Sequence, residues 1–328
     1  MLDLPFRVVN KLKTNKWRTT EAADNATYLK VVNQRNIRSF LSEASEPKLY
    51  GQLGELEVRL AISKSDVKRS QRLRYRIFYE EMNAVPSKSA MLSRRDVDAY
   101  DPICDHLLVV DTSAGPAKSA RKWRGKPRVV GTYRLLRQDV AQHYGGFYTQ
   151  GEYDINALIA AKGPDYKFVE LGRSCVLQPY RNRRTLELLW HGIWSYVREH
   201  ESHVMIGCAS FPGTDPTTHA TALSFLHHFA SAPEEWRVKA HDRLHVDMNM
   251  IPKSDINHRE ALKALPPLIK GYLRLGAYIG EGAVIDHQFG TTDVLITLPV
   301  EAINTRYFSH FGAPNESASL SPGRSKLM

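Results

Sequence analysis

Cysteine is scarce in this chain of 328 residues: Cys104, Cys175 and Cys208 are the whole supply, and no C-x-x-C pair occurs. Neither a disulfide framework nor a thiolate zinc site is supported, and the usage fits a reducing compartment. Long apolar runs are missing too. None approaches the ~20 residues of a membrane-spanning helix, and the opening stretch MLDLPFRVVNKLK lacks the extended apolar core of a secretory signal. A cytoplasmic protein, either soluble or peripheral on the inner membrane, is expected. Internal repeats and composition breaks are also absent, which favours one principal domain.

Hydrophobic residues at 42% and aromatics at 9% permit a proper core. Bases outnumber acids, 45 to 35, and the net charge of +10 implies an acidic partner: nucleic acid, anionic lipid or an acidic protein. Residues 1–50 read as a basic extension. Phe6, Val9 and Leu12 share a helical face ringed by Arg7, Lys11, Lys13 and Lys16, as in a short helix lying on anionic lipid; a solvated basic arm reads equally well. The Ser-rich stretch 312–328 reads as a disordered tail.

Residues 168–177 are apolar, rich in strand formers and bounded by Pro164 and Pro179, which suits a buried strand. That strand carries Glu170 and Arg173, charges that need partners inside a core. Period-2 geometry sends them to opposite faces unless Gly172 marks a bulge, which would also splay the strand from its neighbour. Arg181, Arg183 and Arg184 then precede a helix with apolar Leu186, Leu189, Trp190, Ile193, Trp194 and Val197. A helix N-terminus behind three guanidiniums is a phosphate site. A splayed strand beside it is a slot for a pantetheine arm; the alternative is an ordinary strand–helix unit with solvated arginines.

Upstream, residues 56–62 alternate as a first strand, and Ser65 is positioned to cap a helix running to Met82 with Leu73, Ile77 and Phe78 inward. Arg74 and Phe78 are one turn apart. Asp96, Asp98 and Asp101 follow in a polar loop, where their mutual repulsion calls for a metal, an arginine or an ammonium substrate. Strands at 106–111 and 129–136 are joined by a basic loop with Arg121, Lys122, Arg124, Lys126 and Arg128 around Trp123. One aromatic and no recognisable module make nucleic acid a weak reading; a docking surface for an acidic protein and a solvated hairpin tip remain. Further on, we expect a strand at 204–208, a helix at 218–230 with Leu223, Leu226 and Phe229 inward, a helix from Pro266-Pro267 through Tyr278, and a strand at 294–298.

The E-L-G-R strand, its turn, and the stretches R-Y-R-I-F, D-A-Y-D and V-G-T-Y-R-L-L resemble GNAT-related acyltransferases, including the acyl-homoserine-lactone synthases. The longer series through LPPLIKGYLRLGAYIGEGAVIDHQFGTTDVLITLP is similar to their ornithine lipid branch, which acylates the α-amine of L-ornithine from 3-hydroxyacyl-[acyl-carrier-protein]. The resemblance covers residues 55–311. It implies an α/β, GNAT-like acyltransferase fold over 51–311: a mixed central sheet with a splayed strand, flanked by helices, with a helical insertion near 212–265. It further implies that Arg74 and Phe78 shape the acyl-donor site, that Asp98 and Asp101 form the D-x-x-D pair, and that Arg134 reaches the cleft. Asp96 lies outside that motif. Acids near the cleft would suit ornithine, whose two ammonium groups a neutral amino acid lacks. Where typical relatives have glycines for coenzyme A, this chain has Arg181, Asn182 and Arg183, which favours an acyl carrier protein as donor. Its phosphopantetheine arm would be the only cofactor, none being permanently bound.

A thioester is already activated, so the enzyme has to align partners, remove a proton and steady an oxyanion. Glu170 is the candidate to orient and deprotonate the amine, with Arg173 beside it either assisting or neutralising it in a structural ion pair. Amides around Ser174, Cys175 and Val176 would polarise the carbonyl. Cys175 as nucleophile lacks an activating group. His241 and His245, with Asp242 and Asp247 nearby, have H-x3-H spacing without an HExxH motif; imidazoles also serve as plain hydrogen-bonding groups, and no step here needs a Lewis acid, so no metal is expected. Alternatives are another N-acyl amino acid or lactone synthase, and a non-catalytic basic adaptor for membrane or nucleic acid.

Overall fold

The computed structural model describes residues 47–113 and 127–303. The amphipathic N-terminal segment, the basic loop at 121–126 and the 312–328 tail lie outside them. Nine described strands form one sheet: β1 (Leu49–Leu53), β2 (Leu56–Leu60), β3 (Asp105–Asp111), β4 (Arg128–Arg137), β5 (Phe168–Val176), β6 (Val204–Pro212), β7 (His245–Val246), β8 (Tyr278–Asp286) and β9 (Thr291–Pro299). Their spatial order is β1-β2-β3-β4-β5-β6-β9-β8-β7. Neighbours are antiparallel except β5 and β6, which are parallel, so the sheet is mixed as expected.

The helices are α1 (Lys64–Tyr75), α2 (Lys88–Ser93), α3 (Gln138–His143), α4 (Asn156–Lys162), α5 (Arg183–Glu199), α6 (Ala220–Phe229), α7 (His258–Ala264) and α8 (Pro267–Leu275). Alternation along β3 sorts the two faces. Leu107 and Val109 join Leu188, Leu189, Ile193 and Val197 of α5 in one core. Leu108 and Val110 join Leu73, Ile77 and Phe78 of the α1 segment in another. After Tyr75 that helix widens into a π-helical stretch, Arg76–Glu81.

Several expectations are corrected. The sheet begins at β1, inside the stretch read as a basic extension: Tyr50 is buried, and the strand pairs with β2. Ser63, not Ser65, caps α1, because its extended backbone lets the hydroxyl accept from the Asp66 amide. The helix from Pro267 ends at Leu275, where Gly276 takes a left-handed φ of 96°, and Tyr278–Asp286 is a strand rather than a broken helix. Phe229 is 38% exposed and rests on His258, ring centroids 4.2 Å apart, while Leu223 and Leu226 are buried. Leu186 faces outward at 46% exposure.

The central feature is where β5 leaves β6. They pair only at Phe168↔Val204, Val169↔Met205 and Glu170↔Ile206. Next comes Gly207, where a Cβ would lie 2.2 Å from the Leu171 carbonyl oxygen; the strands touch there and then part. On the other side, Arg134 pairs with Gly172 and Thr132 with Cys175, so Arg173 and Ser174 together oppose one residue, Tyr133. This is the expected bulge, shifted one residue along. Arg173, not Gly172, takes the positive φ, 47°. A left-handed arginine costs roughly 1–2 kcal/mol, so its side chain must be held.

Candidate active site

What holds Arg173 is a buried network of three arginines and three aspartates. Arg74, fully buried on α1, donates from Nε to Asp96 Oδ2 and from both terminal nitrogens to Asp101, each at 2.8 Å. From β4, Arg134 donates Nη1 to both oxygens of Asp98, at 2.6 and 2.5 Å, and reaches Asp101 at 3.3 Å. Arg173 donates Nη2 to Asp98 at 3.2 Å, and its Nε lies 3.5 Å from Asp96. The charges balance, as buried ions require. Burial pushes the Asp98 and Asp101 carboxyls up, but the guanidiniums outweigh it and hold both below the usual carboxylate range.

Of the three cations weighed for these acids, the structure therefore shows arginine. Asp96, which the motif left out, is 3% exposed and binds Arg74 as closely as Asp101 does. Arg74 sits inside the network, not on a ligand surface. Phe78 lies on the widened π-helical stretch and meets Phe289 edge-on, centroids 5.6 Å apart; Phe289 in turn covers the Arg173 guanidinium at 4.6 Å. Wide turns of this kind recur at functional sites.

Glu170 does not pair with Arg173. Its Oε2 accepts from the Tyr148 amide at 3.0 Å and its Oε1 from the Thr149 amide at 2.6 Å and the Thr149 hydroxyl. Both oxygens are thus engaged with the short turn Tyr148–Gly151. That turn presents the Tyr148 ring to Arg173 at 4.9 Å and to Arg134 at 5.7 Å. Glu170 and Arg173 meet through Tyr148.

Along the open edge, the Tyr133 hydroxyl lies 3.5 Å from the Tyr272 hydroxyl. Cys175 packs in the α1 core, and burial pushes its thiol up to about 12, which removes it as a nucleophile at neutral pH. The Val176 carbonyl accepts from Arg181 Nε at 2.8 Å, and Arg181 also pairs with Glu81. Arg183 and Arg184 stand exposed in the first turn of α5, which Asn182 caps through the Thr185 amide. Arg183 also pairs with Glu187. His241 donates to the Gln150 carbonyl at 2.8 Å, Asp242 pairs with Lys239, and Asp247 accepts from the Asn249 amide. A surface depression of about 460 Å³ beside the turn, lined by Gln138, Phe147, Gln150 and Ile159 among others, contains none of the charged groups above.

Sequence reasoning missed Glu152, Asp286 and Asp293. Their oxygens lie within 4.8 Å of one another. Burial and then the Asp293 charge push the Glu152 carboxyl up to about 7, and burial pushes Asp293 to about 6. Glu152 lies 134 positions before Asp286 and 141 before Asp293, so no local spacing signals the cluster.

Residues 73–191 match the family model described as an acetyltransferase (GNAT) domain. The chain is 50% identical over 268 residues to the L-ornithine N(alpha)-acyltransferase of Agrobacterium fabrum (strain C58), covering 82% of this chain and 89% of that protein. It is 47% identical to that of Rhizobium meliloti (strain 1021), covering 90% and 96% respectively. Among solved structures it is similar to FeeM, an N-acyl amino acid synthase from uncultured soil microbes: TM-score 0.41, 12% identity, 78% of this chain and 93% of that one covered.

Proposed function

The chain belongs to the L-ornithine N(alpha)-acyltransferase family, and on that premise we propose that it moves a 3-hydroxyacyl group from acyl carrier protein to the α-amine of L-ornithine, giving lyso-ornithine lipid. The observation that carries this reading is the open β5 edge: strand pairing to β6 stops at Glu170, and the bulged residues Arg173 and Ser174 follow at once. An extended pantetheine arm is a strand-like ligand that such an edge accommodates by backbone hydrogen bonding. Arg183 and Arg184, in the first turn of α5, would meet its phosphate, a reading that the helix N-terminus supports.

The reaction needs alignment more than chemistry. The α-ammonium first gives one proton to solvent; the resulting amine attacks the thioester carbonyl, the C–S bond breaks, and the thiolate takes the second proton as nitrogen becomes the amide. The amides around Ser174, Cys175 and Val176 polarise the thioester carbonyl, and Arg173, paired with Asp96 and Asp98, fixes the bulge that presents them. Glu170, with both oxygens held by the Tyr148–Gly151 turn, acts as a positioning residue that keeps Tyr148 against Arg173. A carrier protein is the better donor because the turn before α5 offers arginines where coenzyme A would use glycine-lined amides.

The product is an amphiphile, and the surface around α2 suits delivery to a cytoplasmic membrane face. Val85, Met91, Leu92 and Val97 are exposed, Leu92 at 89%, with Lys88 and Arg94 beside them. No described helix is long and apolar enough to cross a membrane. The test is single-turnover assay of the full chain with labelled ornithine and either 3-hydroxyacyl carrier protein or the matching coenzyme A ester, read by mass spectrometry. Formation of Nα-(3-hydroxyacyl)ornithine with the carrier donor preferred is expected. Preference for the coenzyme A ester refutes the donor assignment, and acylation of other amino acids but not ornithine refutes the acceptor.

A further inference from the structure

Beside the open edge lies a second charged cluster, and it differs from the arginine network in that, among the described residues, no cation pairs with it. Glu152 follows the Tyr148–Gly151 turn, Asp286 ends β8 and Asp293 lies on β9 opposite Ser210 of β6. Their carboxylate oxygens converge within 4.8 Å. Asp286 Oδ1 caps its own turn through the Gln288 and Phe289 amides, and Glu152 Oε2 accepts from the Cys208 thiol at 3.1 Å. Asp293 is 7% exposed, and its Oδ1 has no hydrogen-bond donor. The Ser210 and Thr291 hydroxyls lie near enough to favour the ionised carboxylate, yet neither reaches that oxygen in bonding geometry. A buried carboxylate oxygen without a donor costs about 1–3 kcal/mol or more, so the site is built for a group that arrives.

The position says which group. Cys208, bonded to Glu152, follows Gly207, the residue at which β6 parts from β5. Tyr148, whose hydroxyl feels both Glu152 and Asp286, stacks on Arg173, and Phe289, just past Asp286, covers the other contact of that guanidinium. Arg173 acts on Glu152 and Asp293 but is itself committed to Asp96 and Asp98. A cation entering beside the thioester slot therefore meets three oxygens and aromatic faces, an environment suited to a primary ammonium.

We propose that Glu152, Asp286 and Asp293 form the seat for the side-chain ammonium of the acceptor, and thereby set the preference for a diamino acid. This rests on the reading of ornithine as acceptor. A neutral side chain of equal length would leave the seat unpaired, which is how a polar site rejects an apolar analogue.

The experiment compares L-ornithine with L-norvaline, which has the same carbon chain without the second nitrogen, as acceptors for the full-length enzyme and its Glu152→Gln and Asp293→Asn variants. The wild type is expected to prefer ornithine strongly. Each variant should raise the KM for ornithine roughly 10- to 100-fold, a much larger effect than on norvaline, and so collapse the ratio between acceptors. Variants that retain that ratio overturn the seat. So does a bound divalent metal that the variants lose and whose removal abolishes turnover of both acceptors alike. Should a variant fold poorly, wild-type melting at pH 8 decides: ornithine raising Tm where norvaline does not supports the seat, and equal shifts overturn it. A wild type that acylates other amines but never ornithine overturns the functional reading itself, a result distinct from all of these.

Discussion

Glu152 offers a sharp test through stability alone, without any substrate. Its carboxyl is pushed from an ordinary 4.5 up to about 7, first by burial and then by Asp293. The native state therefore holds a proton that the unfolded chain releases between those two pH values. Stability contributed by this site is greatest below pH 4.5, falls as pH rises toward 7, and is level above. At 1.36 kcal/mol per pKa unit the full loss is about 3 kcal/mol, an upper bound because Asp293 titrates with it. Glu152→Gln removes the titration while keeping the shape. Thermal melts at pH 5, 6, 7 and 8, in buffer free of divalent ions and amino acids, should show the variant gaining on the wild type as pH rises. At roughly 2 °C per kcal/mol for a chain of this size, the gain at pH 8 is at most about 6 °C. A constant difference between variant and wild type across the range, or a variant that is worst at pH 8, would refute the raised Glu152 carboxyl.

The arginine network makes the opposite prediction: Arg74→Gln strips Asp96 and Asp101 of their main partner and should cost about 3–5 kcal/mol in urea unfolding at pH 7, whereas a change below 1 kcal/mol would mean the network is dispensable. Because its aspartates are held below the usual range by guanidiniums, its stabilisation is present at neutral pH and lost only as acid protonates them. Glu170→Gln presents an amide NH2 toward the Tyr148 or Thr149 donor and should cost about 1–3 kcal/mol together with a fall in kcat; a large fall in kcat with unchanged stability would instead assign Glu170 to the proton transfer. Cys175→Ala should keep its turnover and lose about 1–2 kcal/mol of core packing, and an inactive but folded Cys175→Ala enzyme would restore the thiol as nucleophile.

Much of this was legible in the sequence because it is local. The alternation in 106–111, the helical spacing after Arg184 and the apolar 168–177 stretch each specify an element within one window. The misreadings lie where a window is blind. Tyr278–Asp286 carries Gly280 and Gly282, which read as helix breakers but serve as close-packing positions of a strand, with Leu295 and His245 against them. The bulge was placed at Gly172 on the rule that glycine takes positive φ; tertiary ion pairs put Arg173 there instead. Asp98, Asp101, Arg134 and Arg173 come from separate motifs and meet in one network that no motif announced, and the Glu152 cluster depends on strand order, which no spacing encodes.

The two clusters divide the work that a single charged site would do badly. Arg74, Arg134 and Arg173 with Asp96, Asp98 and Asp101 form a neutral, closed set, so the bulge and its left-handed arginine stay fixed whether or not ligand is present. Glu152, Asp286 and Asp293 form an open set, two of whose members are pushed toward neutral pH chiefly by burial. Closing the second set with a fixed lysine would stabilise the fold and fill the place a cationic acceptor needs. Leaving it open keeps the binding energy of the arriving ammonium for recognition, at a cost in stability that the pH melts measure directly.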